Sequence, residues 1–340
     1  MPAIQDASLF FTSDVIAPSM QFLFDHAEAT LASAAETMVR TNIRRIYGVG
    51  GGASLSALMG LQYLLGRYSG LDMHARNGWE VPTGARSLAG TAIVATSYSG
   101  QTPEVLDTVR RGRDAGAFVL ALTDSDASPL AGLADVTVAF RSKAVYIAPL
   151  TAVYLLGAHL LRLRGESGET AAQLRRDLHR FPDRAGAIRV AAGARAEALA
   201  GDLADHYYVV AGGPQYGLGY KLALSVIIEN LWTHATILHS GEFYHGPMEI
   251  VHPGGPTFVL LLGEDATRPA AENVARFLDE RQASVLTFDS RHDGSFSELM
   301  APYPLFIATE LWVMWMAAKM GHDVDERRYM GKVSATWGAF

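Results

Sequence analysis

A regular alternation of short apolar runs with amphipathic helical periodicity constrains the fold of this chain more than any other feature. Residues 92–95 and 118–122 are apolar throughout instead of at every second position. Strands of this kind are buried on both faces, which is typical of a parallel sheet covered by helices. Strands are predicted at 45–49, 73–76, 91–96, 118–123, 136–140, 206–211, 256–262 and 284–288, and helices within 10–42 and at 54–68, 103–115, 144–163, 219–233, 267–281 and 301–320.

The alternation stops at residues 164–205, which we predict to be a helical connector, and then restarts. Segments 46–51 and 208–213 are alike, a weak internal repeat. Because 340 residues correspond to about two domains, we predict an α/β fold of two tandem domains, each a mostly parallel sheet with helices on both faces. The first is predicted to span 1–180, with the N-terminal helices, and the second 181–340, with the C-terminal tail.

Composition excludes several classes of function. A net charge of −7 leaves no basic excess to neutralise a nucleic-acid backbone. The absence of cysteine excludes disulfides, thiolate nucleophiles and cysteine-ligated zinc. The first residues lack a signal-peptide pattern, and the apolar stretch 145–161, which contains Pro149 and His159, is short for a membrane span and indicates a buried helix. We therefore expect a cytoplasmic protein without nucleic-acid or membrane partners.

A cluster of hydroxyl groups follows the predicted strand 91–96. Ser97, Ser99 and Thr102 lie in one turn with the flexible Gly100, and Pro103 then begins a helix. Hydroxyls, free backbone N–H groups and the positive end of a helix dipole together favour a phosphate site. The alternative is an ordinary helix cap, for which one hydroxyl would be enough. The second half has no such loop, because its central strand is followed by the acidic residues Glu264 and Asp265.

A glycine-rich turn follows the first predicted strand. Residues 48–53 match the dinucleotide fingerprint G-x-G-x-x-G/A, with Asp72 near the spacing of a ribose ligand. Asp72 would begin the next strand, however, which is the wrong place to hold a ribose. We favour the hypothesis that this turn and the hydroxyl loop bind one phosphate side by side, and the nucleotide interpretation stays open.

Two further segments carry titratable candidates. His245 lies three residues after Glu242 in a glycine-bracketed segment, where it suits acid–base work better than metal binding. A histidine that bonds to the backbone at a turn is the equal alternative. Glu229 lies among large apolar residues, where burial would raise its proton affinity. The alternative is a solvated helix face, which the neighbouring Lys221 and Asn230 would favour.

The C-terminal tail, residues 323–332, is highly charged. Such termini are usually solvated. Tyr329 and Met330 are interleaved with the charges and favour a docked segment instead, one that would bring Arg328 or Lys332 over a pocket.

Together these motifs resemble those of the sugar isomerase (SIS) domain family, which binds phosphorylated sugars. Residues 97–102 are similar to its S-x-S-G-x-T phosphate motif, which also implicates Gln101. Residues 51–54 resemble its first loop, C-G-[ST]-S, so that Gly52 and Ser54 are implied phosphate contacts, although Ala53 replaces a hydroxyl residue. The resemblance covers the whole chain as two tandem SIS domains.

The same arrangement occurs in the isomerase half of glucosamine-6-phosphate synthase and in fructoselysine-6-phosphate deglycases. In that group a catalytic Glu lies sixteen residues before a catalytic His in a G-E-x-x-H-G-P segment, and Glu229 and His245 match it. Val226 stands where the synthase has a lysine, and the 340 residues contain no cysteine to liberate ammonia from glutamine, so glutamine-dependent amination is not expected. Segments 240–247 and 327–332 are most similar to the deglycase branch.

The resemblance implies a substrate, a mechanism and an assembly. The substrate would be a 6-phosphorylated fructosamine, hydrolysed to glucose 6-phosphate and a free amine by Glu229 and His245 without metal or cofactor. The His is commonly supplied by a neighbouring subunit in this family, so a homodimer or larger homo-oligomer is expected. Two alternatives stay open: an amino-sugar-phosphate isomerase or deaminase, and a non-catalytic phosphosugar sensor. The identity of the amine is left undetermined.

Overall fold

Two parallel sheets follow one another along the chain in the computed structural model, which describes residues 11–82, 87–201, 203–293 and 296–330. The predicted α/β class is thereby confirmed. The first sheet has the order β2-β1-β3-β4-β5 and the second β7-β6-β8-β9. The strands are β1 Arg45–Val49, β2 Asp72–Arg76, β3 Thr91–Thr96, β4 Phe118–Thr123, β5 Val136–Ala139, β6 His206–Ala211, β7 His234–His239, β8 Thr257–Leu262 and β9 Val285–Asp289.

Helices cover the two sheets and connect their strands. They are α1 Ile16–His26, α2 Glu28–Arg40, α3 Gly52–Tyr68, α4 Pro103–Asp114, α5 Ile147–Leu163, α6 Gly168–Leu199, α7 Tyr216–Leu222, α8 Glu229–Leu231, α9 Arg268–Glu280 and α10 Pro302–Met320. A π-helical stretch, Ala223–Ile228, joins α7 to α8, so that 216–231 form one helical rod. π-helical turns are often found at functional sites.

The internal repeat predicted from sequence is visible in the strand orders. The order β7-β6-β8-β9 repeats β2-β1-β3-β4, so β6 corresponds to β1 and β8 to β3. The sequence prediction missed β7 and placed helix as far as Thr233. β7 is a partly exposed edge strand that carries polar residues such as His234 and Thr236, so it lacks the continuous apolar run by which the other strands were found.

The core is centred on long apolar helices. The predicted buried helix at 145–161 is confirmed as α5, whose residues 147–161 are all buried. Within the described part of the chain, one helical stretch, Glu298–Met320, is long and apolar enough to cross a membrane by composition, and 89% of its apolar window is buried inside the protein. This stretch, which contains α10, therefore has the character of a core helix.

The predicted connector between the halves is largely a single helix. α6 has 32 residues, contains Pro182, and packs against both α5 and α10. The predicted domain boundary at 180/181 falls within α6, so the helix belongs to the packing of both halves. The division into 1–180 and 181–340 stays a prediction.

Candidate functional site

The predicted phosphate loops lie at a switch point of the first sheet. β1 and β3 are neighbours whose crossovers run in opposite directions, to β2 and to β4. The turns after β1 and β3 therefore meet at the carboxyl edge of the sheet, where open α/β folds bind ligands. The two turns approach each other closely: a Cβ atom added to Gly50 would lie only 3.1 Å from the carbonyl oxygen of Thr96. The N-termini of α3 and α4 both open there.

The hydroxyls of the loop 97–102 divide into structural and exposed groups. Ser97 is buried, and its Oγ lies 2.8 Å from Thr102 Oγ1 and accepts a hydrogen bond from the Gly100 N–H at 3.1 Å. Ser99 and Gln101 are exposed, and Ser99 Oγ accepts from the Gln101 N–H at 3.2 Å. Thr102 occupies the N-cap position of α4 but makes no cap hydrogen bond. The ordinary helix-cap interpretation is therefore wrong.

Gly100 is required at its position by both conformation and space. Its φ is +62°, in the region that favours glycine. A Cβ there would overlap the Ser128 side chain and lie 2.8 Å from Thr123 Oγ1. The loop is thus fixed from beneath by β4 and the turn that follows it.

The glycine-rich turn forms the other side of the predicted phosphate site. Gly51 caps α3, which begins at Gly52, and Ser54 donates its N–H to the Gly51 carbonyl at 3.1 Å. Asp72, in contrast, begins β2 at the opposite edge of the sheet and forms ion pairs with Arg45 and His74. The Arg45 guanidinium holds the pKa of the Asp72 carboxyl below its ordinary value. The dinucleotide interpretation is therefore wrong, because its ribose ligand faces away from the turn.

The helical rod 216–231 connects the phosphate loops to Glu229. α7 packs against α3, and a Cβ at Gly52 would lie 3.4 Å from the Ser225 hydroxyl. Glu229 follows Ser225 by four residues across the π-helical stretch, so it lies about one turn further along the rod. The structure thus brings Glu229 into the neighbourhood of the glycine-rich turn.

Glu229 forms an ion pair with the C-terminal tail. Its side chain is 25% exposed, and its Oε1 accepts a hydrogen bond from Arg327 Nε at 2.9 Å. Arg327 also donates to the Val324 carbonyl at 2.6 Å. Sequence reasoning missed Arg327, because the tail is 98 residues away along the chain. The only available indication was the docked character of the charged tail.

The polar neighbours of Glu229 do not form a solvated face. Lys221 and Asn230 are both buried. Asn230 donates its side-chain amide to the Val324 carbonyl at 2.7 Å. Burial lowers the pKa of Lys221 to about 8, against the opposing effects of Glu310 and Glu229. Lys221 and Asn230 therefore do not mark a solvated face, but Glu229 itself is only partly buried and lies beside the exposed Ile228.

The tail packs against the end of the rod and borders an open cavity of about 470 Å³ beside Glu229. His322 Nε2 lies 2.6 Å from the Asn230 carbonyl oxygen, and the Arg328 guanidinium carbon lies 4.2 Å from the Trp232 ring centroid. The tail contacts the rod through residues 322–328, and Arg328 lies on the cavity as expected, but Tyr329 and Met330, from which the docking was predicted, are largely exposed. Lys332 lies outside the described residues.

The structure does not bring His245 to Glu229 within one chain. Glu242 ends a short 3-10 helix, Ser240–Glu242, and His245 lies in the turn that follows; both are exposed, and the His245 N–H donates to the Glu242 carbonyl at 3.0 Å. Of the described residues that line the Glu229 cavity, none comes from this turn. The His245 imidazole has no hydrogen-bond partner among the described residues. The same described residues contain no cluster of three or more metal-ligating side chains.

In the second sheet, the corresponding switch point between β6 and β8 is occupied by the side chain of Asp265. Asp265 is buried, and its carboxylate accepts from the Thr267 N–H at 2.8 Å and from Gln215 Nε2 at 3.1 Å. A Cβ at Gly213 would lie 2.7 Å from Asp265 Oδ2, so the carboxylate occupies the space between the two turns. This is consistent with one phosphate site per chain, in the first half.

Comparison with known proteins places these features in a wider group. The SIS domain model matches residues 41–160. The chain is 30% identical over 328 residues to the fructoselysine 6-phosphate deglycase of Escherichia coli (strain K12), covering 95% of this chain and 96% of that protein. It is 27% identical to a fructosamine deglycase of Bacillus subtilis (strain 168), over 86% and 92% of the two chains. The C-terminal domain of glucosamine-fructose-6-phosphate aminotransferase from Francisella tularensis shares the fold, with a TM-score of 0.77 at 18% identity over 94% and 96%.

Proposed function

This chain belongs to the SIS-domain family, and we propose that it is a deglycase that hydrolyses a 6-phosphorylated fructosamine to glucose 6-phosphate and a free amine. One observation carries the proposal: the Ser225 hydroxyl lies near the glycine-rich turn, 3.4 Å from where a Cβ of Gly52 would be, and Glu229 follows Ser225 by about one turn of the same rod. A sugar anchored by its C6 phosphate at Gly52 and the loop 97–102 would extend its other end toward Glu229. Deglycase relatives that match nearly the whole chain support the same assignment.

In the proposed mechanism the phosphate is held by Ser99, Gln101, Thr102, Ser54 and the backbone of the two turns. Ser97 and Gly100 shape the loop, since their hydrogen bonds are internal. Exposed hydroxyls and helix N-terminal N–H groups suit a dianionic phosphate. The binding energy at C6 would position C1 and C2 at the carboxylate.

Glu229 would act as the base and then the acid. It takes a proton from C1 of the ketosamine, which gives an enaminol, and returns the proton to C2, which gives an imine at C1. Water adds to this imine and the C–N bond breaks, releasing the amine and the aldehyde form of glucose 6-phosphate. Arg327 occupies only Oε1 of Glu229, and within the described chain Oε2 has no hydrogen-bond donor and stays available for the proton.

His245 would open the sugar ring or handle its hydroxyl proton from a neighbouring subunit. Its exposed position and its absence from the described lining of the Glu229 cavity support a shared site in a homodimer or larger assembly. Glu242, exposed in the same segment, would lie near the substrate in that assembly. A cytoplasmic location belongs to the proposal, because phosphorylated sugars are charged and cross an apolar membrane poorly.

The test is a complementation assay with glucose 6-phosphate release as readout. Glu229→Gln and His245→Asn are each expected to abolish turnover of a 6-phosphofructosyl-amine while the folded protein persists. If each site combines Glu229 of one subunit with His245 of another, co-expressing the two variants restores about a quarter of wild-type turnover. Glu249→Gln, in the same surface segment, is the control and should remain active.

Each part of the proposed function is contradicted by a different experimental outcome. Near-normal turnover by Glu229→Gln would refute its catalytic role, and absence of complementation would refute a shared site. Ammonia release from glucosamine 6-phosphate without glucose 6-phosphate release from any fructosamine adduct would favour the deaminase alternative. Phosphosugar binding without turnover of either substrate would favour the sensor alternative.

A further inference from the structure

The cavity beside Glu229 extends away from the phosphate loops. Ser225 lies near the loops and does not line the cavity, whereas the lining includes Ile228, Glu229, His206, residues 232–236 and residues 327–330 of the tail. Its volume of about 470 Å³ lies within the range of roughly 300–1,000 Å³ that is typical of small-molecule sites. If the proposed function holds, a substrate with its phosphate at the loops and C1 at Glu229 projects its amine substituent into this cavity.

The fixed charges that line the cavity leave one excess positive charge. Glu229 and Arg327 form an ion pair and compensate each other. Arg328 also lines the cavity, and no carboxylate among the described residues forms an ion pair with it. His206 lies in the same lining, where burial and then His234 lower its pKa, so it favours the neutral form and adds no second positive charge.

Arg328 is held in a defined position without being neutralised. Its guanidinium lies over the Trp232 ring, 4.2 Å from the centroid. Cation–π contact fixes the plane of the group while leaving its N–H donors free at the edges. A guanidinium that is oriented in this way and keeps its N–H donors free can bind a carboxylate in a bidentate manner. Apolar side chains, Ile228, Ala235 and Met330, line the space next to it.

We propose that Arg328 binds a carboxylate carried by the departing amine, and that this residue thereby sets a preference for acids over the corresponding amides. The apolar walls contact the aliphatic part of this amine, and the guanidinium receives its carboxylate. Arg328 is a specificity residue in this scheme and takes no part in the proton transfers at C1 and C2.

The experiment compares matched acid and amide substrates. The 6-phosphofructosyl adducts of glycine and glycinamide form one pair, and those of 6-aminohexanoic acid and its amide form a second with the charge further from the nitrogen. The wild type is expected to prefer the acid by about 10-fold or more in kcat/KM in at least one pair, as a charge-assisted hydrogen bond implies. In Arg328→Gln that ratio is expected to fall close to one.

The acid and the amide are assayed with the same preparation of each variant. A smaller folded fraction therefore lowers both rates equally and leaves their ratio unchanged. Arg281→Gln is the matched control, because Arg281 lies over the Phe277 ring at 3.5 Å but does not line the cavity. It should keep the wild-type ratio.

Three results would overturn the inference. Equal turnover of acids and amides by the wild type would leave the deglycase assignment intact and refute the carboxylate site. An equal loss for acids and amides in Arg328→Gln would assign Arg328 to a part of the substrate that both share, such as the phosphate. Absence of glucose 6-phosphate from every adduct would refute the deglycase function and this inference with it.

Discussion

Substitution of Gly100 by alanine tests how the loop 97–102 is built. Gly100 has a φ of +62°, and an added Cβ would overlap Ser128 and lie 2.8 Å from Thr123 Oγ1. The backbone conformation costs an L-residue about 1–2 kcal/mol, and forcing a methyl group into occupied space costs about 1–3 kcal/mol. We therefore expect Gly100→Ala to lower the free energy of unfolding by about 2–5 kcal/mol.

A matched variant separates the two costs. Gly90 also has a positive φ, of +76°, but a Cβ there meets only the Asn42 carbonyl oxygen at 3.8 Å. Gly90→Ala should lose only the conformational part, about 1–2 kcal/mol. Urea unfolding of the wild type and both variants, compared at a common m value, gives the difference.

Binding of fructose 6-phosphate is the second readout. The methyl group can be accommodated only if the loop moves off Ser128, which displaces the exposed Ser99 and Gln101. We expect Gly100→Ala to weaken the affinity by at least about 10-fold, equivalent to roughly 1.4 kcal/mol, and Gly90→Ala to leave it unchanged. Equal stability of the two variants would refute the packing argument, and an unchanged affinity in Gly100→Ala would refute the phosphate assignment of the loop.

Two further predictions concern buried charges. Because burial lowers the pKa of Lys221 to about 8 from 10.5, only the unfolded chain holds the proton between these values, and the free energy of unfolding should rise with pH in that interval by on the order of 3 kcal/mol. Lys221→Met should flatten this rise, and parallel pH profiles of the two proteins would contradict it. Asp265→Asn should cost about 1–3 kcal/mol, since Asp265 accepts hydrogen bonds from Thr267 and Gln215. It should leave the affinity for fructose 6-phosphate unchanged, and a weakened affinity in a titration would show that the second switch point takes part in binding.

Sequence patterns predicted best where the structure depends on neighbours along the chain. β3, β4 and β8 are continuous apolar runs and were found within one or two residues. The loop 97–102 was identified for the same reason, because a strand end, a glycine and a helix start occur within a few residues. β7 was missed because its exposed edge position permits polar residues.

The candidate site needed more than these local patterns. Lys221 and Asn230 suggested a solvated face from their residue types, yet both are buried against parts of the chain that are distant in sequence. Asn230 is hydrogen-bonded to Val324, and Glu310 opposes the burial effect on Lys221. A polar side chain can be buried when a partner is available, and residue type alone does not supply that partner.

The α/β class, the internal repeat and the hydroxyl-rich turn could be predicted without a structure, because each is encoded by local periodicity or by a few adjacent residues. The pairing of Glu229 with Arg327, the stacking of Arg328 on Trp232 and the position of Asp265 in the second switch point became visible in the folded chain. The physical reason is that these contacts join segments far apart in the chain, and their energies depend on distance and burial, which no periodicity records.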